Sequence, residues 1–308
     1  MTRSPFTRYV NLDPIETPSG EIDGEVVLHR NPLPLCHNAQ PISRRNWNAI
    51  VVVPSANPAN LARFYSRWAR AGWMVLAIVE PNHEPQSGKD CDFQVVRSGQ
   101  YSFARLANQG IRIALRDPYC ELIAVAGDDM DPLQPVGAPI GGPYQDIGAL
   151  ASDVIRLPIG PRNCDPGIYQ PTGDSFGETK GICGSPIFNR AAAVGLRADA
   201  GCGPYYDIYR HLYCDRELFD IASKRKILKV DATMMHYHHH WSRHGFPRPA
   251  YLNHVQDYAF HDQGIYQSRK GKLFSFFERY NVKMDNERRA AITRGLVMQA
   301  TLYPSLQG

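Results

Sequence analysis

No run of about 18 apolar residues occurs anywhere in the chain, which excludes an apolar membrane-spanning helix. The opening residues, MTRSPFTRYVNLDPIETPSG, lack the apolar core of a secretory signal, so the expectation is a cytoplasmic protein. Cysteine is sparse: seven residues stand far apart with no C-x-x-C pair, an arrangement of reduced thiols rather than a disulfide framework or a cysteine zinc site. No sign of charge dominates. Lys+Arg total 34 against 30 Asp+Glu, and the net charge of +4 permits an anionic substrate or nucleic acid without requiring one. Internal repeats and low-complexity tracts are also missing. What remains is a globular composition, 43% hydrophobic and 21% charged in 308 residues, enough for one large domain with appendages.

The most informative stretch is CELIAVAGDDMDPL, Cys120 to Leu133. Its apolar run, Leu122 to Ala126, reads as a buried strand. Asp128, Asp129 and Asp131 follow within four positions, and Pro132 is expected to stop the strand. Two carboxylates about 4 Å apart repel by roughly 4 kcal/mol at an effective dielectric near 20. Three at a strand end therefore imply a cation or pairing with basic side chains. Oxygen ligands of this kind suit Mg²⁺ or Mn²⁺.

Residues 1–46 are rich in Pro and Asn and read as an irregular arm with a short strand at Gly24 to His29. Ala49 to Pro54 is a strand, and Asn57-Pro58 caps a helix whose apolar face is Leu61, Phe64, Tyr65, Trp68 and Ala69. Trp73 to Val79 and Asp92 to Val96 are further strands, with a helix from Ser102 that carries Gly110 on its apolar face for close packing on the sheet. Interleaved strands and helices predict an open α/β sheet, whose ligands bind beyond the carboxyl ends of the strands. Pro54, Glu80 and Asp128 to Asp131 sit at those ends and are expected to line one crevice. Leu133 to Asp165 reads as loops. Gln170 to Gly177, with Gly173 and Asp174, is a Gly-rich loop whose amides can face phosphate, with Arg162 or Lys180 adding charge. Surface turns explain that stretch equally well. Cys214 to Lys224 reads as a helix capped by Asp215, Ile227 to Asp231 as a strand, and Asp285 to Thr301 as a C-terminal helix.

The ordered set resembles the family-2-like glycosyltransferases of the GT-A fold, in a phage- or prophage-type branch. It comprises the Val-rich strand ending in Pro54, the acidic Glu80, Asn108-x-Gly110-x-x-x-Ala114, the Asp cluster, Cys214-Asp215-Arg216-Glu217-Leu218 and the His236-to-Trp241 run. The QPTGD segment and Cys183 to Pro186 belong to the same resemblance. It covers roughly residues 48–245, which makes 47–245 the catalytic domain and 246–308 an extension packed on it. It implies a Rossmann-like, mostly parallel mixed sheet flanked by helices. It also implies a nucleotide-diphosphate sugar donor, UDP-linked first of all, and a divalent cation, Mn²⁺ or Mg²⁺. By the same resemblance Asp129 is the metal ligand, with Asp131 second, and the later metal-binding histidine is His236 or His238. Asp128 and Asn108 fall on the donor side. The catalytic base maps onto Asp215 or Glu217.

Inverting hexosyl transfer needs a carboxylate to take the acceptor's proton and a Lewis acid to stabilise the departing diphosphate. Four histidines in five positions, His236 to His240, adjoin Trp241, Arg243 and Arg248. Cations mixed with aromatics hold phosphates and stack bases or sugars. These residues point to an acceptor such as a hydroxymethylated base in phage DNA, with a saccharide as the competitor. A metal-dependent nucleotidyltransferase or hydrolase on a similar α/β fold is the alternative reading of the same cluster.

Overall fold

The computed structural model describes residues 49–79, 91–96, 101–115, 120–145, 147, 166–171, 181–196, 203–241 and 258–270. Contacts divide the chain into two units, Met1–Asp262 and Gln263–Gly308. The first unit holds a seven-stranded sheet and a separate two-stranded one.

Its strands are β1 (Ala49–Ser55), β2 (Met74–Val79), β3 (Phe93–Val96), β4 (Leu122–Val125), β5 (Met130–Pro135), β6 (Ile168–Pro171), β7 (Ile187–Asn189), β8 (Leu228–Asp231) and β9 (Met234–His238). The large sheet runs β3-β2-β1-β4-β7-β6-β8. β1 is parallel to both β2 and β4, β2 to β3, and β6 to β8; only β7 is reversed against its neighbours. The fold class is therefore α/β with a mostly parallel mixed sheet flanked by helices. β1 is buried at every position, which is why Ala-Ile-Val-Val-Val reads as a continuous apolar run rather than an alternating one.

Helix α1 (Pro58–Arg70) starts where the sequence indicates. The Asn57 side chain accepts the N–H groups of Ala59 and Asn60, Pro58 takes the first turn, and Leu61, Phe64, Tyr65 and Trp68 are buried. Gly72, at φ +91°, turns the chain into β2. Helix α2 (Phe103–Ala114) is capped by Ser102, which accepts the Arg105 N–H. Gly110 lies so close to β1 that a Cβ there would stand 2.2 Å from Val52 Cγ1. This is the close packing that offsets a glycine in mid-helix. Shorter helices α3 (Arg190–Gly195) and α4 (Cys214–Lys224) follow, then α5 at 258–270. Among the described residues no helix is long and apolar enough to cross a membrane.

The chain leaves β1 toward β2 and β3 on one side, then returns to place β4 on the other. That reversal puts a topological switch point between β1 and β4, where their carboxyl ends diverge to leave a crevice.

Two expectations change. Pro132 does not end a strand; it lies within β5, which pairs antiparallel with β9. The register shifts between Met130 and Leu133, and at such an irregularity the ladder bond that proline lacks is not required. Of the histidine run, His236 and His238 lie in β9, which ends at His238, and Leu133 to Pro135, expected as loop, belong to its partner strand. The strand expected at 24–29, the helix at 285–301 and the loop at 148–165 lie outside the described residues.

Replacing Gly110 by Ala gains about 1 kcal/mol of helix propensity but overpacks the α2–β1 contact, at a cost of about 1–3 kcal/mol. Thermal unfolding of Gly110→Ala should therefore show a lowered Tm. A raised Tm would mean that helix and sheet separate freely at that point.

Candidate functional site

At the switch point, Ser55 closes β1 and Asp128 stands just past β4. The Ser55 hydroxyl donates to Asp128 Oδ2 at 2.6 Å, and Asn60 Nδ2 donates to Asp128 Oδ1 at 3.3 Å. Pro54 is buried inside β1. Val52 C=O accepts the Ala126 N–H at 3.1 Å, and β4 pairing stops at Val125. Pro54 faces the same neighbour as Val52 and has no N–H to carry the ladder on to the Ala126 carbonyl, and the β1–β4 pairing ends at Val52 and Val125. Burial pushes the Asp128 carboxyl up to about 6, with the neighbouring Asp129 charge adding to it and the Ser55 bond opposing it.

Asp129 has the opposite environment. Its Oδ2 meets His238 Nε2 at 3.0 Å, and its carbonyl accepts the His239 N–H at 2.7 Å. Burial raises its carboxyl, but the hydrogen bond and charge of His238 outweigh burial and hold it below the ordinary value. Asp129 and His238 keep 25% and 18% side-chain exposure, enough to meet a ligand. Gly127 makes room for this: a Cβ there would come within 2.8 Å of Asp129 Oδ1. The His240 ring lies 5.1 Å from His238, edge-on, and Trp241 lies 5.4 Å from His240. Trp241, the acceptor-side candidate, thus adjoins the site through His240.

Asp131 departs from its expected role. Its side chain is 1% exposed, bonded through Oδ1 to Arg67 Nη1 and, at 2.9 Å, to His239 Nε2. Burial raises its carboxyl, yet the His239 and Arg67 bonds prevail and keep it low. Of the two outcomes open to the Asp cluster, a cation or basic partners, Asp131 takes the second. His236 lies deeper than His238. It is 2% exposed, with its ring 5.3 Å from Trp68. Burial depresses the imidazole to about 3; the Ser185 backbone beside it works the other way, but neither ring nitrogen reaches a hydrogen-bond partner. Trp68 in turn donates Nε1–H to the Met130 carbonyl at 2.9 Å, fixing the turn from below.

The start of α4 belongs to the same edge of the sheet. Val125 N–H bonds the Pro186 carbonyl at 3.0 Å, and Cys183 N–H bonds the Asp215 carbonyl at 3.0 Å, so the Cys183-to-Pro186 loop spans from β4 to α4. Asp215 does not cap this helix. Tyr213 holds the cap position at φ +64° without a side-chain bond, and Asp215 Oδ1 accepts the Arg216 N–H at 2.8 Å. Burial raises the Asp215 carboxyl, opposed by the Arg216 N–H bond. Glu217 is 3% exposed and accepts the Tyr209 hydroxyl at 2.7 Å, so it is more enclosed than Asp215. Asn108 is also enclosed. It is fully buried and clamps the 205–207 segment: Nδ2 donates to the Tyr205 carbonyl at 2.7 Å and to Asp207, and Oδ1 accepts the Tyr205 N–H at 3.1 Å. Glu80, Arg162, Gly173, Asp174, Lys180, Arg243 and Arg248 lie outside the described residues.

Sequence reasoning missed Ser55, Asn60 and Arg67, and it included His239 only as one of the histidine run. Ser55 and Asn60 flank the Asn57 cap, and a polar residue closing a buried strand is the one signal that would have found Ser55. Arg67 has no signature, because its partner lies 64 positions away. Among the described residues no three of His, Cys, Asp and Glu gather to hold a metal. The Asp129–His238 pair supplies one oxygen and one nitrogen. That set fits a cation that arrives with substrate phosphates and takes its other ligands from them and from water. The nitrogen donor favours Mn²⁺ over Mg²⁺.

Asp128 gives a pH test. Its folded value is raised, so the protonated form adds stability that is complete below the unfolded carboxyl range and is lost as pH rises through about 6. In metal-free protein, Asp128→Asn should raise Tm over wild type at pH 7–8, and the difference should shrink as pH falls through about 6 and vanish only below the unfolded carboxyl range, under about pH 4. A pH-independent difference would assign the effect to the Ser55 and Asn60 bonds rather than to charge. Comparison with protein-family models and with curated proteins finds no match.

Proposed function

We propose that the chain is a metal-dependent glycosyltransferase that moves a sugar from a nucleotide-diphosphate sugar, UDP-linked first, to an acceptor hydroxyl. The observation that carries this reading is the meeting of Asp128 and the Asp129–His238 pair at the β1–β4 switch point. The mostly parallel mixed sheet is in keeping with the GT-A fold, and Asp215 stands at the same edge. A bound Mn²⁺ would supply the Lewis acidity that a departing diphosphate requires. Asp129, kept ionised, and His238 are the residues that would hold it. Asp128, fixed by Ser55 and Asn60, presents a hydrogen-bonding carboxyl to the nucleoside side of the crevice. Asp215, with its carboxyl raised by burial, is suited to take the acceptor's proton. Trp241 and His240 offer ring faces for a sugar or a base, which fits a hydroxyl on a modified DNA base as acceptor and a saccharide as its competitor.

Thermal shift with UDP and Mn²⁺ tests the reading. Ligand a hundredfold above Kd stabilises by about 2.7 kcal/mol, or roughly 5–11 °C for a chain of this size. Asp129→Ala and His238→Ala should abolish that shift while leaving the metal-free Tm close to wild type. Asp131→Ala should do the reverse, lowering the metal-free Tm because Arg67 and His239 lose their buried partner, at a cost on the order of 3 kcal/mol. Full UDP–Mn²⁺ shifts in both Asp129→Ala and His238→Ala would refute the assignment.

A further inference from the structure

The 203–213 segment leads into α4 and carries no regular structure of its own, yet it is held at every stage. Asn108 clamps its start, and the Ser102 hydroxyl donates to the Tyr209 carbonyl at 2.6 Å. Its last turn is held by a residue about fifty positions downstream. Asp262 is 0% exposed, and its carboxylate accepts three consecutive backbone N–H groups: Arg210 at 3.0 Å, His211 at 2.9 Å and Leu212 at 2.8 Å. His261 Nδ1 approaches the same Oδ1 at 3.0 Å, and the Arg210 guanidinium lies over the Tyr258 ring at 5.3 Å.

The residue after those three N–H groups is Tyr213, at φ +64°. A non-glycine side chain in this left-handed region costs about 1 kcal/mol or more, and it persists only where surrounding bonds fix the backbone. The first helical bond of α4 runs from the Glu217 N–H to the Tyr213 carbonyl at 2.9 Å, so the conformation of Tyr213 sets the direction in which α4 departs. Asp215 is two residues further on. No side-chain capping bond forms at the start of α4; its first turn is tied instead by Asp215 to the Arg216 N–H and by Glu217 to the Tyr209 hydroxyl. On the segment before it, the buried Asp262 carboxylate adds charge-assisted bonds to three consecutive amides, each about twice the strength of a neutral bond.

We propose that Asp262 is the positioning residue for the Asp215 carboxylate: by gathering the amides of residues 210–212 it holds Tyr213 in its left-handed conformation and aims the first turn of α4. The role rests on the glycosyltransferase reading, in which Asp215 takes the acceptor's proton. It reaches beyond that reading by assigning control of the base to a residue of α5, an element that contributes no residue to the switch-point site. Asp262 acts through backbone geometry alone and touches no substrate. Its loss therefore falls on turnover and not on donor binding, because the Asp128–Asp129–His238 corner is built from other elements.

The test uses the full chain with Mn²⁺, duplex DNA carrying a hydroxymethylated pyrimidine as acceptor of the sugar (with water as acceptor in its absence), and UDP-glucose, UDP-galactose, UDP-N-acetylglucosamine and GDP-mannose as donor probes. It follows release of the nucleoside diphosphate and, separately, donor affinity. Asp262→Asn keeps the shape and removes the charge. It should lower kcat by about tenfold or more, as expected for displacement of a reacting group by a fraction of an ångström, with donor affinity unchanged. Tyr213→Asn in the same background should restore part of kcat, since asparagine enters the left-handed region at low cost. Wild-type kcat in Asp262→Asn would overturn the proposal. So would parallel losses of kcat, donor affinity and Tm, which mark a merely structural residue. If the wild-type chain releases no nucleoside diphosphate from any of the four donors, the glycosyltransferase reading itself fails, and the role of Asp262 falls with it.

Discussion

Two stretches of chain 109 residues apart meet at the bond between Asp129 and His238. Everything specific to the site depends on that meeting. The side-chain contact is doubled by the main-chain bond from His239 to the Asp129 carbonyl, so β9 holds the Asp turn in two places at once. Trp68 holds the same turn from α1 through the Met130 carbonyl, and Arg67 holds it through Asp131. A turn carrying three carboxylates would otherwise spread under its own repulsion. Here the geometry is enforced by partners on two different elements, and only one carboxylate is left facing a ligand with a metal-compatible neighbour.

The three aspartates show how environment separates identical side chains. Asp128 is desolvated and bonded by neutral donors alone, so its proton affinity rises. Asp129 is desolvated too, but an imidazole reverses the balance. Asp131 is buried deepest by exposure and is neutralised by a guanidinium and a second imidazole. Neighbouring groups with proton affinities driven apart are what a site needs if one carboxyl is to bind a cation while another donates or accepts hydrogen bonds. Asp131 is then the structural member of the cluster. Its pairing with Arg67 and His239 keeps β5 and β9 in register below the two groups that face the crevice.

The parallel half of the fold was legible because its signals are local. Ala49 to Pro54 is apolar throughout, Asn57-Pro58 is a complete helix start, and Gly110 on an apolar face announces a close contact that the Val52 distance bears out. Strand β5 was misread because Pro132 normally ends a ladder, and the register shift that tolerates it is set by β9, which lies about a hundred residues away. The same non-local pairing hid β9, the strand that takes in His236 and His238. At the site, local chemistry pointed to the Asp cluster, and the resemblance to Asp129 or Asp131 and to His236 or His238. Neither could show that Arg67 pairs with Asp131 or that the His236 ring packs against Trp68, since both partners are remote in sequence. Asn108 and Glu217 entered as site residues through the resemblance alone. The structure gives each a buried partner, Tyr205 for the first and Tyr209 for the second.

The central claim is that a divalent cation bound with a nucleoside diphosphate sits on Asp129 and His238. Crystals grown with UDP and Mn²⁺, measured for the anomalous scattering of manganese, locate that ion directly. The account predicts one anomalous peak in contact with the Asp129 carboxylate, His238 Nε2 and the diphosphate oxygens, with the Arg67–Asp131 pair intact beneath it. A peak ligated by Asp131 or His236 instead, or bound UDP with no manganese at the Asp129–His238 corner, would contradict it.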